Sequence, residues 1–199
     1  MSQNQHFTPG EIRPLSASAK KQWALGQVRQ IATGAIDAAG LPVVAPKGEE
    51  TWSLSIRSIE REGNIPAQGH QQVFTLLAGD FLQLNIDGSV QGLEPLRPLK
   101  FTASEPVPTS APQEELLVLH LDTDPAAVRG TVRIVELSKQ RPQYLFDGQF
   151  GVFISGQAQL TLGENSTKLA VRDTVTGSDV AEPTISGRGF LAVVSLDLP

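Results

Sequence analysis

The 199-residue chain (21.3 kDa) is 40% hydrophobic with 18 glycines, an ordinary globular balance that excludes a disordered protein. Sixteen Lys and Arg against 21 Asp and Glu leave a net charge of -5, with no basic footprint for nucleic acid or an anionic lipid surface. Cysteine is absent, which excludes disulfides and thiolate chemistry, and no apolar run approaches the roughly 20 residues of a membrane helix.

The first element in chain order is ambiguous. Between Ser16 and Ala39, the residues Leu25, Val28, Ala32 and Ala35 recur at helical spacings, with Ser16 or Ser18 as a cap. Gly26 and Gly34 would each cost a helix interior about 1 kcal/mol, so helix and loop both stay open. From Trp52 the period is two. Trp52, Leu54 and Ile56 share one strand face while Ser53, Ser55 and Arg57 share the other, and Gly63 to Pro66 ends the run. Val73 to Leu77 reaches Gly79-Asp80, and Leu82, Leu84 and Ile86 alternate into Asp87-Gly88, a hairpin signal. Further strands are predicted at Leu116 to Leu121, Thr131 to Leu137, Tyr144 to Phe146, Gly151 to Ile154, Gln157 to Leu162, Lys168 to Val171 and Phe190 to Leu196. About ten strands exceed one simple open sheet.

A weak internal repeat organises them. Leu76-Leu77-Ala78-Gly79 with Leu82 to Leu84, and Leu93 to Arg97, resemble Phe153-Ile154-Ser155-Gly156 with Ala158 to Leu162, and Leu169 to Asp173. The glycines stand 77 positions apart and Leu93 and Leu169 stand 76 apart, so one residue is absorbed by a bulge or turn. Two copies of a small jelly-roll unit are the economical reading.

Several segments together resemble the HutD/Ves family. Trp23-Ala-Leu-Gly26-Gln-Val-Arg29-Gln-Ile31 is similar to its glycine-rich segment near the start, and Trp52-Ser-Leu-Ser-Ile56 with Gly63 to its Trp-Arg-x-Ser-Ile strand. Gly69 to Gly79 resembles its Gly-x-Asp-Arg-x-Leu-x-x-Leu-x-Gly strand, and Pro98 to Phe101 with Glu105-Pro-Val107 its Pro-x-x-Phe and Pro-Val segments. The resemblance implies an all-β fold of double-stranded β-helix (cupin) barrels, two halves fused as a compact bicupin. Residues 1–15 would form a tail or first edge strand. Residues 16–125 would form the first half with a segment covering its pocket, and residues 126–199 the second half. The chain departs from the family in keeping Gly26 alone of a glycine triplet, in having Gln71-Gln72 in place of Asp-Arg, and in having Glu115-Leu-Leu-Val-Leu119 in place of an Asp-Phe-Asn-Leu-Met strand. Losing that arginine removes a fixed, fork-shaped carboxylate partner.

The family implies a small-molecule ligand and an association with histidine utilisation or stress responses. The candidate ligand-binding residues are Trp23, Gly26, Arg29, Trp52, Ser55, Arg57, His70 and Gln72. Arg29 matches the family's arginine and would pair with a ligand carboxylate beside a flat Trp23 wall, both looking into the mouth of the first barrel. Arg57 would restore the charge lost at Gln72. Both tryptophans are also natural core residues. No metal or other cofactor is expected, because His6, His70 and His120 stand alone and no His-x-His pair exists. No phosphate loop, dinucleotide turn or nucleophile elbow is present, so no catalytic residue is assigned. The leading reading is a cytoplasmic, metal-free binding protein for a small carboxylate, with a regulatory role. Its alternatives are an isomerase or lyase using His70 or a buried glutamate as base, and a non-catalytic protein with a vestigial pocket that pairs edge strands into a homodimer. The start of the chain, Met1 to Phe7, lacks the basic and apolar regions of a secretory signal, hence the cytoplasmic expectation.

Overall fold

The computed structural model describes residues 5–67 and 69–199. The first four residues of the predicted tail, and Gln68, lie outside the described residues. The chain is all-β: one turn of 3-10 helix, Leu15–Ala17, is the sole helical element among the described residues. The strands begin with β1 (Gln5–His6), β2 (Ile12–Arg13), β3 (Lys20–Trp23), β4 (Gly26–Ile36), β5 (Pro42–Val44), β6 (Trp52–Ile59) and β7 (Gly63–Ile65). Then come β8 (Gln71–Ala78), β9 (Leu82–Ile86), β10 (Ser89–Leu93), β11 (Leu99–Thr102), β12 (Val107–Thr109) and β13 (Leu116–Thr123). The remainder are β14 (Arg129–Leu137), β15 (Gln143–Tyr144), β16 (Gln149–Leu162), β17 (Asn165–Leu169), β18 (Thr174–Thr176) and β19 (Thr184–Asp197).

The ambiguous segment between Ser16 and Ala39 is neither a helix nor a loop but the hairpin β3–β4, with Trp23 opposite Gly26. The β-branched Val28, Ile31, Thr33 and Ile36 favour an extended backbone, and the glycines that spoil a helix serve the sheet. A Cβ at Gly34 would stand 2.1 Å from the Val43 carbonyl oxygen, and one at Gly26 would stand 2.6 Å from that of Ser58. Asp87 and Gly88 both adopt positive φ (47° and 84°) in the tight β9–β10 hairpin, as its sequence predicts.

Three sheets result. The first runs β1-β5-β4-β6-β13-β8-β11, with β3 on β4, and faces a smaller sheet, β10-β9-β12-β7. Between them lies an apolar core in which Phe74, Leu76 and Val118 of the large sheet meet Ile65, Leu82, Leu84 and Val107 of the small one. The third sheet, β14-β19-β16-β18-β2 with β15 on β19 and β17 on β16, curls around its own core of Phe153, Leu160, Ile185 and Leu191. Because side chains alternate, the opposite face of β6 and β13 (Trp52, Leu54, Ile56, Leu119, Leu121) is free to pack on Phe150, Val152, Ala192 and Val194 of the third sheet. This second apolar layer joins the two barrels. Phe7, Trp52 and Phe150 meet there with ring centroids 5.4 to 5.6 Å apart.

Candidate functional site

One face of the large sheet grades from apolar to polar along its strands. Cross-strand register sets Leu76 of β8 and Arg57 of β6 beside Val118 of β13, then Phe74 and Ser55 beside His120, then Gln72 and Ser53 beside Asp122. Below the first layer, Ile59 and Leu116 close the floor. His70 precedes β8 at the polar end. Side-chain exposure rises from 2% at His120 to 22% at Asp122 and 34% at His70, so the polar end of this face is the more solvated one.

Arg57 governs the charge there. It rises from the lower layer, donates from Nε to Ser55 Oγ at 3.2 Å, and lays its guanidinium over the Trp23 ring at 4.9 Å. Trp23 is held in that position by its own Nε1–H, which donates to the Ser58 carbonyl at 2.8 Å. Burial lowers the Arg57 pKa below that of a free guanidinium, against the opposing pull of Asp122, but a guanidinium stays charged at any ordinary pH. Among the described residues no other hydrogen bond engages it. Its terminal N–H groups therefore remain available as a fork of donors on a half-buried side chain.

Two histidines and one carboxylate complete the cluster. His70 Nδ1–H donates to Asp122 Oδ1 at 2.6 Å, while His120 Nε2 lies 4.0 Å from Asp122 Oδ2. His120 packs edge-on against Phe74 with centroids 4.5 Å apart, and neither of its ring nitrogens has a partner among the described residues. Burial, and secondarily the Arg57 charge, push its pKa well below the usual histidine value, so it is neutral. No group of three or more His, Asp or Glu among the described residues is arranged to hold a metal ion.

The sequence-predicted residues thus divide. Trp23, Ser55, Arg57, His70 and Gln72 converge on this cluster, with Gln72 donating to the Pro66 carbonyl at 3.2 Å. Trp52 does not: it is 2% exposed in the layer between the barrels, on the opposite face of β6, and its Nε1–H donates to the Ala35 carbonyl. Gly26 serves the hairpin, where its missing side chain lets Gln27 N–H reach Ser58 Oγ. Arg29 is the principal correction. It pairs with Ile56, so it faces away from Arg57, and its Nη1 donates to the carbonyls of Leu15 and Ser18. Its guanidinium ties down the 3-10 turn instead of looking into the first barrel beside Trp23. There Arg29 borders a cavity of about 630 Å³ between the halves, with Leu15, Lys20, Leu117 and Arg172 on its walls. Asp122 and the depth of His120 were missed. The alternation Val118, His120, Asp122 is the signal that places them beside one another.

The HutD family model matches residues 16–193. The chain belongs to the HutD family. Its fold is also that of solved HutD from Pseudomonas fluorescens SBW25, at 20% identity and a TM-score of 0.73, covering 95% of this chain and 98% of that one. A conserved protein of unknown function from Pseudomonas aeruginosa PAO1 is similar at 16% identity and a TM-score of 0.76, covering 96% and 100%. A cupin 2 conserved barrel domain protein from Leptotrichia buccalis matches at 7% identity and a TM-score of 0.56, covering 99% and 100%. The fold is therefore cupin-like. The curated proteins contain no match to this HutD-family chain. No helix among the described residues is long and apolar enough to cross a membrane.

Proposed function

We propose that the first barrel binds a small anionic metabolite through its carboxylate, and that binding rather than turnover is the protein's task, in keeping with a sensing role in amino-acid breakdown. The observation that supports this reading is Arg57: a charged fork, half-buried, stacked on Trp23, and bonded only through Nε among the described residues. Its terminal donors make no hydrogen bond among the described residues, and a carboxylate would supply two matched acceptors for them. Asp122 acts on this guanidinium through its charge but makes no hydrogen bond to it, its Oδ1 being paired with His70 at 2.6 Å. The apolar floor and the Trp23 wall suit a compact ligand body.

Thermal melting with a panel of small carboxylic acids tests the reading. A ligand at 100 times its Kd adds about 2.7 kcal/mol of stability, and that increment should vanish in Arg57→Gln. Stabilisation that survives in the variant refutes it. The His70–Asp122 bond favours a second reading, in which the carboxylate orients His70 as a general base for an isomerase or lyase. Catalytic consumption of a bound acid, abolished in His70→Gln, would establish that alternative.

A further inference from the structure

The third sheet carries an apolar surface that its own packing does not need. Leu145 is buried in the core of that sheet, so Tyr144 and Phe146, one residue to either side of it, point the other way. Both are exposed, at 45% and 52%, with their rings nearly parallel (13°) and the centroids 6.3 Å apart. A turn formed by residues 178–182 faces them, and its Val180 is 93% exposed. Single exposed apolar side chains are ordinary, but three around one hollow mark an interaction surface. That hollow is a cavity of about 230 Å³ walled by Tyr144, Phe146, Ser178, Asp179 and Glu182. Its frame is fixed by hydrogen bonds. The Asp147 amide donates to Asp179 Oδ1 at 2.9 Å and the Asp179 amide to Asp147 Oδ1 at 3.0 Å, while Ser178 Oγ accepts from the amides of Val180 and Ala181. The Ser178 amide in turn donates to the Leu145 carbonyl at 3.0 Å. Among the described residues, Oδ2 of both aspartates and the Glu182 carboxylate accept no hydrogen bond, and no Lys, Arg or His pairs with any of the three.

We propose that the Tyr144–Phe146 platform is a docking surface for an arginine side chain presented by a partner protein. Charge complementarity selects this occupant: aromatic faces rimmed by free carboxylates attract a cation and repel phosphate, so neither nucleic acid nor an anionic membrane suits the surface. A guanidinium lies flat on an aromatic ring while its fork of N–H groups reaches carboxylate oxygens, a combination that a lysine ammonium does not reproduce. The volume fits one side chain, since pockets for whole small molecules begin at roughly 300 Å³. Val180, outside the hollow, meets a flanking apolar residue of the same partner. Because the loops are already held in place, little conformational freedom is lost when the partner docks.

Tyr144 is the only tyrosine of the chain, so fluorotyrosine labelling of the intact protein places a single fluorine NMR signal at this surface. The probe is the capped peptide acetyl-Leu-Arg-Leu-amide, compared with versions that carry lysine or the neutral isostere citrulline in place of arginine. The arginine peptide should move the signal saturably and bind about tenfold more tightly than the citrulline peptide and about threefold more tightly than the lysine one. Phe146→Ser and Glu182→Gln should each weaken that binding by about threefold or more, with the melting temperature unchanged because both side chains are exposed. Equal binding of the arginine peptide and either of its counterparts overturns the proposal, as does binding that both variants leave intact. A response to cellobiose but not to the peptides assigns the surface to carbohydrate, and a signal that changes with protein concentration alone assigns it to a second copy of this chain; either result overturns the proposal, and so does a signal that none of the peptides moves.

Discussion

Leu96 and Arg172, 76 positions apart, turn the same corner in the two barrels. Both have positive φ, 59° and 73°, and their amides donate to the carbonyls of Leu76 (3.1 Å) and Phe153 (2.6 Å), which stand 77 apart. Gly79 and Gly156, also 77 apart, share φ near 100° (97° and 102°), and each lies beside a register shift, between Leu117 and Val118 and between Phe153 and Ser155. The weak sequence repeat is therefore a repeat of backbone conformation. It persists where side chains differ, because the barrel corner constrains φ and not chemistry.

That shared corner separates backbone strain from packing. A left-handed backbone costs a non-glycine residue about 1–2 kcal/mol, partly offset by the greater unfolded-state freedom of glycine. Arg172→Gly should therefore stabilise by about 0.5–1 kcal/mol in urea unfolding. Leu96→Gly should destabilise, since Leu96 also packs against the layer between the barrels.

Gly26 predicts the opposite sign for a small addition. The 2.6 Å approach to the Ser58 carbonyl and hydroxyl oxygens gives a new methyl group no room. Gly26→Ala should cost about 1–3 kcal/mol and blue-shift or broaden the Trp23 fluorescence, because the Trp23–Ser58 bond depends on the same hairpin.

The two arginines should behave as different kinds of residue. Arg29→Ala releases the carbonyls of Leu15 and Ser18 and should lower stability by about 1–2 kcal/mol, with carboxylate affinity held within about twofold. Arg57→Lys retains the charge but loses the fork and the ring stack, and should weaken carboxylate binding by about tenfold or more. Urea titrations and calorimetry on the same preparations distinguish the two.

His120 fixes a pH dependence. Its folded-state pKa is depressed below its unfolded value near 6.5, so below about pH 6.5 the unfolded chain takes up a proton that the folded chain refuses. Stability should fall as pH drops from 6.5 towards 5, by up to about 1.4 kcal/mol per pH unit from this group. His120→Leu should remove that part of the slope, measured as the difference between the two proteins' unfolding free energies across the range.

Much of this architecture is legible without coordinates because period two and turn chemistry act locally. Trp52 to Ile56, Leu82 to Ile86 and the Asp87-Gly88 turn all form as the pattern predicts. Glycine misleads where it marks close approach instead of a break. Gly156 lies within β16, and Gly187 and Gly189 within β19, where a Cβ would stand 2.0, 2.1 and 1.8 Å from facing carbonyl oxygens. Strands that read as starting at Gln157 and Phe190 thus extend through them. Half of the site is visible as the face shared by Ser55 and Arg57. Its other half comes from β13, and a histidine that stands alone in sequence acquires meaning only when register sets it beside Ser55 and Phe74.

The strand Ile12–Arg13 belongs to the third sheet, against Thr174 and Val175, although the chain then returns to build the first. A cut between residues 125 and 126 would consequently not yield two self-sufficient proteins. The later fragment would be born with an open, adhesive margin at β18, prone to recruit any extended peptide, and the earlier fragment would hold the missing piece. Mixed together, the two should heal into one particle; kept apart, the later one should clump.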